Sequence, residues 1–184
     1  MKRMKDVCLL LVALTLCFCF GTVSAFADYD RFSETEYYFY IEDDYWNEVK
    51  YNVSLDYDAM EARINSYSGD TYYVEIPSFF EYDGERYTVT EILGGDKDNE
   101  WQESVTVPST VTVIHPESLG YYLGEIEVDN SYWDEYGDYV YNFDYVEKML
   151  PVDGFTVKCE KGSAAEKYAL DNGFLCETFR SITE

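Results

Sequence analysis

The alternation of apolar and polar residues predicts a chain built mainly from short β-strands. Side chains of a strand point to its two faces in turn, so apolar residues at every second position indicate one buried face. The clearest examples are two triplets that each run into Pro-Ser, at Val74–Ser78 and Val105–Ser109. Because proline has no N–H to donate to a sheet, each Pro-Ser should end its strand and turn the chain.

These triplets belong to an irregular repeat. A second apolar run follows each of them, at Val89–Ile92 and Val111–Ile114, and fainter triplets occur at Ile126–Val128 and Val157–Cys159. One short strand every 20 to 30 residues or so is typical of a leucine-rich-repeat-like right-handed solenoid, whose adjacent coils share a parallel sheet. An antiparallel sandwich produces the same alternation and stays open as the alternative.

The N-terminal part has a longer alternating pattern. Residues 36–55 predict an antiparallel hairpin around Asp43-Asp44, and Met60–Ile64 predicts a further strand. We interpret residues 28–70 as an N-terminal β cap and residues 71–184 as the degenerate leucine-rich-repeat-like domain. A solenoid needs caps because its terminal coils otherwise expose their core.

The C-terminal part predicts a capping helix at about 163–172. Ser163 is a good N-cap, and Glu166 three residues later completes the pattern of a capping box. Gly173 should end the helix in a left-handed conformation, with Phe174 folded back on its last turn. The apolar face of this helix should cover the last coil, and its members are Ala165, Tyr168 and Ala169.

The first 27 residues have the three-part pattern of a secretory signal peptide. Positive residues open the chain, Val7–Phe20 is an almost unbroken apolar run, and Ala25–Ala27 supplies small residues for cleavage. A membrane anchor is the alternative, but a span needs about 20 apolar residues. We therefore expect residues 1–27 to be removed and the mature chain to be secreted, either released or held at the cell surface.

The mature chain should be strongly acidic. Of 13 basic and 37 acidic residues, the leader takes three basic residues and one acidic residue. Ten basic residues then face 36 acidic ones, and this balance repels nucleic acid and anionic membranes, so neither is expected as a partner. Twenty tyrosines, eleven phenylalanines and three tryptophans supply enough apolar surface for a core.

The order of these motifs resembles the BspA-type bacterial surface leucine-rich-repeat family. The resemblance covers about residues 62–176 and is most specific at the Pro-Ser triplets and at Gly162–Gly173. Where the family usually has Ala-Phe after the second run, this chain has Gly94-Gly95 and Ser118-Leu119. The resemblance implies an exported interaction module, since adhesion or host-protein binding is proposed for some members, and it carries no catalytic residues.

The sequence offers little for catalysis. The single histidine, His115, stands between Ile114 and Pro116 at a predicted corner, where a structural role is expected. The chain has no nucleophile-elbow, zinc-protease or phosphate-loop motif. We expect no enzyme activity and no cofactor. An exported hydrolase with a carboxylate pair is kept as the last of three hypotheses for the function, after the two binding hypotheses given below.

Metal binding is not expected either. Asp96–Glu100 and Asp129–Asp138 are rich in oxygen ligands, but an EF-hand loop needs glycine at its sixth position, where this chain has Trp101 and Asp134. Calcium held between loops stays open as an alternative. Cys159 and Cys176 remain after the leader is removed and can form one disulfide or stay as two thiols.

Loop aromatics are the best candidates for binding. Tyrosine and tryptophan on rigid loops lose little entropy on binding proteins, and their flat rings also stack on sugars. We assign this role to Tyr132, Trp133 and Tyr136. Alternation at Tyr139, Tyr141 and Phe143 instead predicts one buried face. A protein partner is the first hypothesis, and a carbohydrate-binding module with coplanar exposed rings is the second.

Overall fold

A computed structural model of the chain describes residues 30–42 and 48–180. Contacts divide the chain into Met1–Arg31 and Phe32–Glu184, and almost all of the first unit lies outside the described residues. The predicted signal peptide and the Asp43-Asp44 turn also lie outside them and stay predictions.

The described part is β-rich, as predicted, with one helix. Its strands are β1 (Glu36–Glu42), β2 (Glu48–Asp56), β3 (Glu61–Ser68), β4 (Tyr73–Glu75), β5 (Phe79–Tyr82), β6 (Glu85–Ile92), β7 (Ser104–Val107), β8 (Val113–Ile114), β9 (Tyr121–Asp129), β10 (Tyr132–Trp133), β11 (Tyr139–Val140), β12 (Phe143–Pro151), β13 (Thr156–Glu160) and β14 (Leu175–Phe179). The helix is α1 (Ala164–Asn172).

The repeated triplets lie side by side in one sheet. Its strand order is β14-β13-β7-β4, and every neighbouring pair is parallel. The register aligns Val74 with Val105 and Val105 with Val157, all three buried. The parallel pairing of these triplets is thus confirmed. For Ile126–Val128 it is wrong, because this triplet lies in β9, which pairs antiparallel with β12.

The second apolar runs lie in another sheet, ordered β1-β2-β3-β6-β5 with β8 beside β6. The β3–β6 and β6–β8 pairs are parallel, whereas β1–β2, β2–β3 and β5–β6 are antiparallel. The predicted N-terminal hairpin is therefore confirmed as β1 and β2, and the strand predicted at Met60–Ile64 as the start of β3.

Side chains of both sheets form one buried apolar cluster. Members without solvent exposure include Val53, Leu55, Ala62, Ile64, Val89, Ile92, Val105, Val107, Leu119 and Val157. Backbones approach closely beside this cluster, since a Cβ atom on Gly95 would lie 2.1 Å from the carbonyl oxygen of Ser118. Only glycine fits there, because any side chain would force the two backbones apart.

The C-terminal helix has the predicted caps. The Ser163 side chain accepts a hydrogen bond from the N–H of Glu166 at 3.2 Å, and Gly173 has a left-handed φ of 74°. The Glu166 carboxylate accepts from the N–H of Gly162 rather than from that of Ser163, which donates to the carbonyl of Glu160. Ala165, Tyr168 and Ala169 are buried as predicted.

The phenol of Tyr168 ties this helix to the cluster. It donates to the carbonyl of Leu119 at 2.9 Å and accepts from the N–H of Leu119 at 3.1 Å.

Within residues 30–42 and 48–180, no helix is both long and apolar enough to cross a membrane.

Candidate interaction site

Residues 121–151 form a two-stranded structure that we call the arm. β9 and β12 pair along nine residues each, from Tyr121 opposite Pro151 to Asp129 opposite Phe143. Among the described residues, neither strand has a second neighbour in a sheet. A small hairpin of β10 and β11 ends the arm, and this tip carries the three predicted binding residues.

The turn at the tip is held by a carboxylate. Asp134 Oδ1 accepts hydrogen bonds from the N–H groups of Tyr136 at 2.9 Å and Asp138 at 2.8 Å. Gly137 follows with a φ of 82°, a left-handed conformation that favours glycine. These contacts are all local in sequence and involve no residue of the core.

Side-chain bonds also fix the passage between tip and arm. The amide of Asn130 donates to Asp144 Oδ2 at 2.6 Å, and Ser131 Oγ accepts from the N–H of Asn142 at 3.0 Å. Asp129 Oδ1 accepts from the N–H of Ser131 at 2.8 Å. Hydrogen bonds from Ser131 lower the pKa of Asp129, which therefore stays ionised to lower pH than usual.

The three predicted binding residues are all exposed. Tyr132 keeps 54% of its accessible surface, Trp133 keeps 70% and Tyr136 keeps 82%. The ring of Trp133 meets that of Tyr139 at 5.1 Å and 61°, close to edge-on. This aromatic tip offers large side chains on a hydrogen-bonded hairpin, an arrangement with little entropy to lose on binding.

The prediction of a buried face at Tyr139, Tyr141 and Phe143 is wrong. All three are exposed, and Tyr141 keeps 75% of its accessible surface. Tyr139 and Tyr141 pack ring to ring at 4.9 Å and 88°. Tyr139 lies in β11, Phe143 begins β12, and Tyr141 lies between the two strands, so the three residues do not share one strand face.

The rings of Trp133, Tyr139 and Tyr141 are not coplanar, as a platform for sugar stacking would require. Trp133 and Tyr139 are tilted by 61°, and Tyr139 and Tyr141 are nearly perpendicular. Their contacts are the edge-to-face kind that aromatic side chains prefer among themselves. These three rings therefore offer edges as well as faces to solvent.

The two faces of the arm differ in chemistry. Cross-strand partners share a face, so Glu125 lies opposite Glu147 and Glu127 opposite Tyr145. The other face carries Ile126 opposite Val146. The acidic face comprises Leu123, Glu125, Glu127, Asp129, Phe143, Tyr145, Glu147 and Met149. The apolar face comprises Tyr122, Ile126, Val128, Val146 and Leu150, together with Asp144 and Lys148.

Sequence reasoning does not assign this pair of faces. The signal is present in Glu125-Ile-Glu-Val-Asp129, where acids occupy every second position. The apolar members Ile126 and Val128 indicate another coil strand, and acids that alternate with them are typical of any solvent-facing side. Which side chains share a face with them depends on the partner strand, and β12 is separated from β9 in the sequence by the whole tip.

An acidic cleft of about 730 Å³ lies elsewhere, with a lining that includes Asp70, Asp96 and Asp98. Burial raises the pKa of Asp96. Both of its oxygens are engaged, because Oδ2 accepts from the N–H of Gly69 at 3.1 Å and Oδ1 from that of Asp98 at 3.2 Å. Asp96 thus fixes the loop that it lies in.

No group of three metal-binding side chains comes together in the described part of the chain. His115 contacts Glu91, with Nε2 2.7 Å from Oε1. Cys159 and Cys176 are thiols with sulfurs 3.9 Å apart, so the disulfide stays a prediction. Burial raises the pKa of Cys159 to about 11, which leaves little thiolate at neutral pH.

Comparisons with protein-family models, with curated proteins and with solved structures found no match to this chain. The BspA-type family therefore stays a prediction from the motifs.

Proposed function

We propose that this chain is a secreted, non-enzymatic recognition protein of the BspA-like leucine-rich-repeat type. It binds a protein partner, and the aromatic tip makes the contact. The observation that carries this proposal is the exposure of Tyr132, Trp133 and Tyr136 on a hairpin fixed by hydrogen bonds. Exposed aromatic patches on soluble proteins mark interaction sites, and tyrosine and tryptophan dominate binding energy where they are anchors.

The register of the strands supports the repeat scaffold. β4, β7 and β13 carry the triplets in parallel order. β6 and β8 carry the second runs, and β3, β6 and β8 are parallel neighbours within the other, mixed sheet. Chain segments that alternate between two such sets of parallel strands are what successive solenoid coils require. On this interpretation β9 and β12 are an insertion between coils, and β1 and β2 cap the first coil.

Binding of the mature chain, residues 28–184, to immobilised proteins and glycans at physiological salt tests this function. We expect saturable binding to a protein that falls at least tenfold in Trp133→Ala, as for a hot-spot aromatic. Trp101→Ala is the matched control, since Trp101 is 69% exposed and lies outside the arm.

Equal losses in the two tryptophan variants would contradict the assignment of the tip. Binding confined to glycans would replace the protein partner with the second hypothesis, a carbohydrate-binding module. A folded chain that binds neither proteins nor glycans would contradict recognition altogether.

A further inference from the structure

The arm has two bare edges. In an antiparallel pair, positions alternate between those that exchange hydrogen bonds and those whose N–H and C=O point outward. The N–H of Asn130 donates to the carbonyl of Asn142, and that of Val152 to the carbonyl of Gly120. Even-numbered positions therefore pair inside the arm, and odd-numbered positions point their backbone groups outward.

Two further observations agree with this assignment. The N–H of Leu123 leaves the arm and donates to the carbonyl of Lys97 at 2.8 Å. Pro151, which has no N–H, occupies an outward position of β12, where a sheet edge tolerates proline. Beyond Leu123, the outward backbone groups of β9 belong to Glu125, Glu127 and Asp129, and they have no backbone partner among the described residues.

The charges along the β9 edge oppose pairing with the β9 edge of a second copy of the chain. An exposed edge strand is a template for pairing, and charged side chains are a common protection against it. A second arm would bring carboxylates beside Glu125, Glu127 and Asp129, and like charges on neighbouring strands repel. Glu125 already faces Glu147 across the arm. Between Tyr121 and Pro151 there are eight acidic residues against one lysine, so a basic strand would relieve this repulsion.

The two faces specify the side chains of that strand. An added strand places alternate residues on the acidic face and the others on the apolar face. Its basic residues would lie beside Glu125 and Glu127, and its apolar residues beside Ile126 and Val128. A shift of one residue would reverse both matches, so the alternation fixes the register.

We propose that the β9 edge of the arm pairs with an extended segment of the partner protein in which basic and apolar residues alternate. This inference rests on the proposed function and names the chemistry of its partner. Main-chain hydrogen bonds supply affinity, and the two unlike faces of the arm supply specificity.

A nine-residue peptide of alternating lysine and valine is the probe, with an equal peptide of alternating glutamate and valine as its control. We expect the mature chain to bind the lysine peptide at least tenfold more tightly, as measured by fluorescence anisotropy. Equal binding of the two peptides, or binding of neither, would overturn the proposal.

Proline substitutions locate the edge. Glu127→Pro removes an outward N–H of β9, and Tyr145→Pro removes one at the cross-strand position of β12. We expect Glu127→Pro to weaken peptide binding at least tenfold and Tyr145→Pro to leave it within threefold. Unchanged binding in both variants would overturn the proposal, and so would a loss confined to Tyr145→Pro.

Methylated peptides on the unmodified chain decide the outcome in which both proline variants lose binding. Residues opposite each other in an antiparallel pair share a face, so the amides of the lysines would point towards β9. In a parallel pair the amides of the valines would do so instead. N-methylation of one set should therefore abolish binding and that of the other should not. Retention by both methylated peptides would overturn backbone pairing.

The two proposals fail in different ways. A protein partner whose binding needs Trp133 but is unchanged by Glu127→Pro would overturn the strand pairing and leave the proposed function intact. Peptide binding without any protein partner would support the edge and contradict the proposed function.

Discussion

Val105 and Val128 both belong to apolar-polar-apolar triplets, but their surroundings in the structure differ. Val105 begins the Val-Thr-Val triplet of β7, and Val128 ends the Ile-Glu-Val triplet of β9. Val105 has no solvent exposure and parallel neighbours on both sides, whereas Val128 is half-buried on a strand with one antiparallel neighbour. Alternation thus encodes a strand, but not its partner, its direction or its covering layer.

The residues after each triplet make the difference. Pro108 ends β7 and turns the chain towards β8, so the next strand lies in the other sheet. After Val128 the chain continues through Asp129 into the tip and returns as β12. The scaffold is therefore held by buried long-range packing, and the arm by local turns and cross-strand pairs.

The largest effect expected from this comparison concerns glycine. A Cβ atom on Gly95 would meet the carbonyl oxygen of Ser118, whereas one on Gly137 would meet nothing within 4 Å. We expect Gly95→Ala to lower the free energy of unfolding by about 3 kcal/mol through backbone displacement. Gly137→Ala should cost about 1 kcal/mol, from its positive φ alone. Urea titration of both variants measures the contrast, and equal losses would contradict it.

Truncation of the two valines should give a smaller contrast. Val105→Ala removes buried methyl groups and should cost about 2 kcal/mol, while Val128→Ala should cost less than about 1 kcal/mol. Thermal unfolding followed by circular dichroism checks both values. A cost at Val128 as large as that at Val105 would mean that the arm is packed against a layer and is not free on both faces.

The smallest effect concerns two aspartates with opposite shifts. Burial raises the pKa of Asp96 in the scaffold, so its folded form takes up protons more readily and its ionisation lowers stability as pH rises above about 3.8. Hydrogen bonds lower the pKa of Asp129 in the arm. Its ionised form therefore stabilises the folded chain at neutral pH, and this stabilisation is lost as pH falls through the lowered pKa. NMR titration of the carboxyl groups should give a higher pKa for Asp96, and the reverse order would contradict both causes.

Much of the scaffold is predictable because its signals are local and repeated. Pro77 and Pro108 mark strand ends, and Ser163 and Gly173 mark helix ends whose hydrogen bonds involve only nearby residues. The parallel pairing is predictable from recurrence, since similar triplets favour similar environments. The pattern carries less information about the arm, because the partner strand β12 has no recurring motif.

The candidate site is predictable in part. Tyr132, Trp133 and Tyr136 are exposed as a binding role requires, and the sequence favours this because acids and a glycine surround them. For Tyr139 and Tyr141 the alternation predicts a buried face, and the structure exposes both. Whether an alternating face is covered depends on a third layer, and no pattern within the two strands reports on one.

The ends of the arm are adjacent, since the N–H of Val152 donates to the carbonyl of Gly120 at 2.9 Å. Such closure lets the intervening segment vary in length and sequence during evolution without any change in the path of the flanking strands. Recombination at these two positions would exchange the arm for another hairpin as a cassette. The same junction would let an engineer graft a foreign hairpin onto an unaltered scaffold.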